Sequence, residues 1–387
     1  MTPEIAIVGG GPSGLALAAI LERKGLGNYI VYERGSEHVP PRGGCLDLHP
    51  GSGQRAMKEA GVYDEFKRMS RDGPATIHEV WDFDGNQVTG WGEGRDAPEI
   101  DRFKLRQALL TAIPKEKVVW DTMVESAERG ADGQVVLTFA DGSTRSGFKL
   151  VVGADGVNSK IRHLVHPVKP IFTRHVYLSG KINPSNPFYP KMKSMAKEGS
   201  MIVMGKRKHM FNQTQGDGHY RIDIGFEGDE DFAGKLVDFR DEQAVKKFLL
   251  QDDQFGTICP EFKEIIEKAE GPFWPWLLYY FPPESLNWET VPGVALIGDA
   301  AHVTTPYVGD GANCALRDSV YLALSLQKYG ITTEAVTEYE KEMFPYAIDV
   351  ITRSRKSESL FFAEDAPKGF VEMMKTGTLV GVADDTL

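Results

Sequence analysis

Three short glycine-bearing runs, two of them with an aspartate, could do chemistry in this chain: Gly9-Gly10-Gly11-Pro12-Ser13-Gly14, Gly153-Ala154-Asp155-Gly156 and Gly298-Asp299-Ala300-Ala301-His302. The first has the spacing G-x-G-x-x-G. In it Gly9 permits a tight turn, Gly11 lets backbone approach a pyrophosphate, and Gly14 lets a helix pack on a strand. The helix that follows offers free N–H groups and positive potential at its start. Glu33 lies 19 residues past Gly14, the spacing expected of a carboxylate that accepts from ribose hydroxyls. Ser13 and Arg34 are counted with this cofactor-binding set. Asp155 and Asp299 each end an apolar run, which gives the chain three points of contact for phosphate or ribose. For Asp299 the alternative is a helix N-cap.

These residues need particular elements to hold them. Ile5-Ala6-Ile7-Val8 reads as a strand, residues 15 to 21 as a helix, and Tyr29-Ile30-Val31-Tyr32 as a second strand, together a dinucleotide-binding unit. Val151-Val152-Gly153 and Ala295-Leu296-Ile297 are further strands leading into the acidic turns. Residues 1–70, 98–165 and 288–330 must therefore converge into one discontinuous dinucleotide-binding domain. The insertions 71–97 and 171–285 are left to form a substrate domain. Within the latter, His175-Val176-Tyr177-Leu178, Met201-Ile202-Val203-Met204 and the alternating stretch from His219 to Phe226 read as strands. Residues 241–250 and 261–270 read as helices. Residues 333–387 read as C-terminal helices bracing the two domains, with a long helical pattern over 333–361 and a break at Ala366-Pro367. The fold class is α/β: a Rossmann-like unit with an inserted β-sheet domain and a long C-terminal helix.

The order and wording of the three motifs resemble the single-component FAD-dependent aromatic hydroxylases, the group that includes para-hydroxybenzoate hydroxylase, over roughly residues 1–362. The resemblance implies FAD as cofactor and NADPH or NADH as a transient electron donor. It also implies hydroxylation of a planar aromatic or polyketide-like small molecule by O2 through a flavin C4a-hydroperoxide. It implies that Asp155 touches FAD and the incoming nucleotide, and that Asp299 meets the flavin ribose. Pro306-Tyr307-Val308-Gly309-Asp310-Gly311-Ala312-Asn313 is similar to the family loop beside the isoalloxazine. Pro306, Gly309, Gly311 and Asn313 match, Ala312 lies within the motif, and Asp310 stands where glutamine is usual. No residue is assigned as an acid or base. The loop residues Pro306, Gly309 and Gly311 are taken to face the reacting ring, where N–H groups stabilise negative charge.

A narrower resemblance, to tetracycline-inactivating flavin monooxygenases, rests on Arg42-Gly43-Gly44-Cys45-Leu46-Asp47-Leu48-His49-Pro50-Gly51-Ser52-Gly53-Gln54 and on Pro98-Glu99-Ile100-Asp101-Arg102 with Leu105 and Leu109. It implies that Arg42, Gly44, Asp47 and Arg102 belong to the cofactor site. Family members hold tetracycline with a glutamine and an arginine. Ser179 and Ser200 occupy those positions here, which argues against tetracycline as the physiological substrate. Trp274-Pro275-Trp276 resembles the paired tryptophans of flavin-dependent halogenases, but the isoleucine and proline of that motif do not follow. The segment is expected to be a core strand under the pocket.

The chain has 387 residues, 41% hydrophobic and 26% charged, enough for two domains. Its net charge of −11 argues against nucleic acid. No apolar run reaches the roughly 18 residues of a membrane helix, and a strand starts at Ile5 with no room for a signal peptide. The expectation is a cytoplasmic monomer. Cys45, Cys259 and Cys314 are too few and too scattered for a disulfide framework, and Cys45 and Cys314 are expected to line the flavin pocket. His302 is expected to pack or cap, and Lys206-Arg207-Lys208-His209 to form a solvated hairpin end. Two other functions use the same motifs: a flavin-dependent reductase, and a non-catalytic flavin-bound protein that sequesters a ligand.

Overall fold

Ile5–Val8 is buried along its whole length, as a strand covered on both faces must be. It is the middle of a five-stranded parallel sheet in the order Val294–Leu296, Leu150–Gly153, Ile5–Val8, Tyr29–Tyr32, Val118–Val119. The computed structural model describes residues 3–26, 28–232 and 238–376; the expected C-terminal segment 377–387 lies outside them. The first helix, Pro12–Lys24, begins with proline at its first turn and stops at Gly25 in the left-handed conformation. Its buried face, Ser13 to Leu21, packs on helix Gly311–Tyr329, which packs in turn on the 29-residue helix Thr333–Phe361. The strands of the parallel sheet thus deliver the Gly9, Asp155 and Asp299 turns to one edge, where open α/β sheets bind ligands.

The second layer is a seven-stranded sheet ordered Glu270–Tyr280, Ile171–Ile182, Tyr220–Glu227, Lys208–Thr214, Ser200–Gly205, His78–Asp82, Gln87–Trp91. Its strands alternate. Val176, Leu178, Met201, Val203, Ile222 and Ile224 face one core, shared with Phe262, Ile265 and Ile266 of helix Pro260–Lys268. Ile202, Met204, Tyr177 and Phe211 lie in a second cluster with Tyr307 and Phe361. That second face therefore looks toward the parallel-sheet unit, and the long C-terminal helix touches both layers.

Two expectations change at this sheet. His209 is fully buried among Tyr177, Tyr307, Phe361 and Phe362, because strand alternation turns it inward. The solvated hairpin end is confined to Lys206 and Arg207. Trp274 is 43% exposed and so is no core residue. Lys206 and Arg207 form the turn with φ of 45° and 63°, the left-handed region that favours Asn-Gly in a two-residue hairpin. The double substitution K206N/R207G is expected to raise stability by about 1 kcal/mol by relieving this strain. Thermal melts of the two proteins check it.

Candidate functional site

Each glycine of the first motif meets a different neighbour. Gly9 has φ +111°, and a Cβ there would lie 2.2 Å from the Ala154 carbonyl oxygen. At Gly14 a Cβ would lie 2.0 Å from the Gly9 oxygen. At Gly11, the N-cap of the first helix, a Cβ would meet nothing within 4 Å. Two glycines are thus required by the fold, and the third faces open space at a helix N-terminus, a natural cradle for phosphate. Glu33 accepts from the Gly10 and Gly35 N–H groups, both at 2.6 Å. It braces the glycine turn as well as standing at its mouth, with lone pairs left for a further donor. Arg34 is exposed beside it.

Asp155 and Asp299 are brought together by an arginine that sequence reasoning missed. Arg162 is buried. It donates to the carbonyls of Ala300 (2.7 Å), Val157 (2.8 Å) and Asp299 (2.9 Å), stitching the second motif to the third. Its only sequence signal is a place six residues after Gly156, behind an apolar Ile161. Asp155 Oδ2 accepts from the Lys160 N–H at 2.6 Å, whereas its buried Oδ1 has no partner. Burial raises the Asp155 carboxyl above its ordinary range, with hydrogen bonds from Ser159 and Lys160 opposing. Burial likewise raises Asp299, against the fields of His302, Arg102 and Arg162. The N-cap alternative fails for Asp299: Gly298 holds the cap position of helix Asp299–His302, and no side chain caps it. Arg102 is in electrostatic reach of Asp299, and burial lowers its pKa. Its Nε is buried without a partner and would sit 2.5 Å from a Cβ on Gly43.

His302 is buried and hydrogen-bonded at 2.6 Å to Asp318, which also accepts from the Gly298 N–H at 2.7 Å. Burial opposes the charge on His302, but the Cys314 sulfur and Asp318 hold its proton. The trio pins the Asp299 turn to helix Gly311–Tyr329. Cys314 packs inside against His302, which corrects its expected place in the pocket wall.

The loop from Pro306 to Asn313 is held from three sides. Asn313 is fully buried. Its Oδ1 accepts from the His49 and Gly53 N–H groups and the Ser52 hydroxyl, and its Nδ2 donates to the Asp47 carbonyl at 2.8 Å. Its side chain therefore positions the loop, and any cofactor contact from it is left to the backbone. Asp310 is buried between His49 Nδ1 at 3.0 Å and Arg353 Nη2 at 2.9 Å. Asp47 joins His49 Nε2 at 3.1 Å and Arg95 at 3.0 Å. Burial works against charge on His49, but hydrogen bonds to Asp310 and Asp47 push its pKa up to about 9. Arg95 Nη2 also lies 2.7 Å from Nε2. Two carboxylates against this one guanidinium still favour the imidazolium. Asp47 is held below its usual range by His49 and Arg95, against burial. Gly309 (φ +74°) lies over Asp47, Pro306 is exposed, and Gly311 and Ala312 open the helix.

The sheet closes over this cleft. Arg42 stacks on Trp274 at 4.0 Å, and Gly44 approaches Gln213 and Arg221 so closely that a Cβ would sit 2.8 Å from Gln213 Oε1. Arg221, also missed from sequence, donates to Asp223 and to Ser179 (both 2.8 Å). Cys45 lies against Asp101, Gln215 and Arg71, and burial raises its thiol's pKa.

A dinucleotide crevice with an open helix N-terminus, unpartnered buried atoms at Arg102 and Asp155, and a glycine loop against a β-sheet defines a flavin site, and these residues fit FAD. The model of the FAD binding domain family matches residues 2–183 and 290–354, well over half the chain, and the chain belongs to that family. It is an FAD-dependent oxidoreductase. It is similar to the monooxygenase asqM of Emericella nidulans, with 26% identity over 96% of this chain and 98% of that one. Among solved structures it is similar to Klebsiella pneumoniae HpxO complexed with FAD and uric acid, with a TM-score of 0.78, 22% identity, and coverage of 97% and 95%. It is similar also to tetracycline destructase Tet(51), with a TM-score of 0.72, 21% identity, and coverage of 98% and 96%. Among the described residues no helix is long and apolar enough to cross a membrane.

Proposed function

We propose that this protein is a monooxygenase that takes two electrons from NADPH or NADH and inserts one atom of O2 into a planar aromatic molecule, releasing the other as water. One observation carries the reading. The polar and aromatic face of the seven-stranded sheet is set directly against the loop from Pro306 to Asn313, with the Tyr177 and Tyr307 rings 6.0 Å apart. A substrate on that face lies beside the cofactor. Bound FAD supplies the electron transfer and oxygen activation. The chain supplies the rest. Gly9, Gly11 and the first helix hold the pyrophosphate, Glu33 and Asp299 take ribose hydroxyls, and Arg102 and Asp155 satisfy polar atoms of the cofactor. The Gly309 and Gly311 backbone faces its ring, and the sheet keeps water from the reacting edge. The protein acts in the cytoplasm as a monomer. Its unit 1–70, 98–165 and 288–330 holds FAD, 71–97 and 171–285 hold the substrate, and the C-terminal helices brace the two. Tetracycline is a poor candidate, because Ser179 is engaged by Asp223 and Arg221.

The test is oxygen uptake by the FAD-loaded protein with each nucleotide, across a panel of phenols with tetracycline included, and mass spectrometry of the products. Compound-dependent uptake with a product one oxygen atom heavier is expected. Nucleotide oxidation indifferent to every compound, with hydrogen peroxide as sole product, would contradict it.

A further inference from the structure

The substrate face carries polar atoms that the fold itself does not use. Ser200 pairs with His78 in the parallel register of their strands, and His78 pairs with Trp91, so Ser200 and His78 are neighbours on one face. That face is the one bearing Val80 and Ile202, which packs toward Tyr307. His78 is 9% exposed and Ser200 2%. His78 Nδ1 and Ser200 Oγ are both buried without a hydrogen-bond partner. A buried polar group left unpaired costs about 1–3 kcal/mol, so two side by side on one face point to a ligand that pairs with them. Trp91 stacks on His78 with centroids 4.7 Å apart and planes 12° from parallel, and Phe211 lies 6.4 Å away. Flat apolar walls thus flank the polar pair. Asp47 and Arg95 act on His78 electrostatically, and Asp47 lies under Gly309, which puts the pair at the end of the face next to the flavin loop.

The charge state of this corner decides what it binds. Burial lowers the His78 pKa to about 4, so the ring is neutral at ordinary pH, and Ser200 is neutral throughout. Arg95 is engaged by Asp47 and His49, and Arg221 by Asp223 and Ser179. A carboxylate entering here would lose its water, find no free cation among these groups and face the charge of Asp47. A hydroxyl or ring N–H would instead donate to one orphaned acceptor at little desolvation cost.

We infer that His78 and Ser200 form the hydrogen-bonding edge of the substrate site and select an aromatic ring with a neutral protic group, a phenolic hydroxyl or ring N–H, over one with a carboxylate. The inference rests on the site assignment made under the proposed function.

Calorimetric titration of the FAD-loaded protein with 2-naphthol, 2-naphthoate and naphthalene tests it without turnover. Naphthol is expected to bind at least about tenfold tighter than the other two, the equivalent of one hydrogen bond. Ser200→Ala, and His78→Phe, which keeps the stack on Trp91, should each weaken naphthol binding about tenfold and leave naphthalene binding unchanged, with FAD content showing that each variant is folded. Naphthoate binding as tightly as naphthol, naphthol affinity surviving both substitutions, or no binding of naphthol by the wild type would each overturn it. If naphthol binds as expected but neither nucleotide ever reduces the bound FAD, the monooxygenase reading fails while the selectivity stands.

Discussion

Gly11→Ala should fold as the wild type does and lose FAD. The backbone at Gly11 has φ −74° and ψ −177°, open to any residue, and a Cβ there meets nothing of the protein within 4 Å. Its unfolding free energy should therefore stay within about 0.5 kcal/mol of the wild type's. The added methyl occupies the space through which backbone N–H groups approach the pyrophosphate. A clash of about 3 kcal/mol corresponds to FAD affinity lower on the order of 100-fold. Gly9→Ala is the contrasting case. At φ +111° with a Cβ 2.2 Å from the Ala154 oxygen, it should cost about 3 kcal/mol in stability before any ligand is added. Melting of the FAD-free proteins and fluorescence titration with FAD separate the two effects. Wild-type FAD affinity in Gly11→Ala would place the pyrophosphate elsewhere.

Asp310→Ala should be among the most destabilising single changes in the molecule. Asp310 is a buried link in a chain of charges running from Arg95 through Asp47 and His49 to Arg353 on the C-terminal helix. Removing one partner from a buried ion pair typically costs about 3–5 kcal/mol, because the others stay desolvated. The network also carries a pH signature. The folded-state pKa of His49 is raised from 6.5 to about 9, chiefly by Asp310 and Asp47 against burial. Its contribution is therefore complete below about 6.5 and is lost as the pH rises through about 9. Stability should fall by about 3 kcal/mol over that window, and His49→Gln should flatten the fall. Denaturant unfolding at stepped pH checks both. A flat wild-type profile between neutral pH and about 10 would show that His49 is not charged in the fold. Asp310→Gln, which keeps a polar side chain without its charge, should recover only part of the loss, since Arg353 and His49 would face a neutral amide.

The parallel sheet and the turns at its edge were legible because they rest on local rules. An apolar strand, a glycine turn and a helix follow one another within about 30 residues, and Gly9 and Gly14 cannot be replaced without collision. The strands of the inserted sheet were legible from alternation in the same way, although their order was not. The rest depends on segments far apart in sequence. Asn313 holds His49 across 264 residues, and Arg162 holds Ala300 across 138. No spacing rule announces such pairs. His209 and Trp274 were misread for a related reason: composition makes a basic cluster look solvated and paired tryptophans look buried. Strand register and position at the sheet's edge decided otherwise. Asp310 stood out in the sequence only as a departure from a family pattern. Its partners on two other elements show what the departure accomplishes, a charged clamp on the loop from Pro306 to Asn313.

Turnover under isotopically labelled dioxygen, with a phenolic compound that binds the FAD-loaded protein, separates oxygen insertion from plain nucleotide oxidation. A monooxygenase leaves one labelled oxygen atom in the product and oxidises one nucleotide for each molecule formed. An unlabelled product, or nucleotide oxidation that yields only hydrogen peroxide while the bound compound emerges unchanged, would contradict the proposed function.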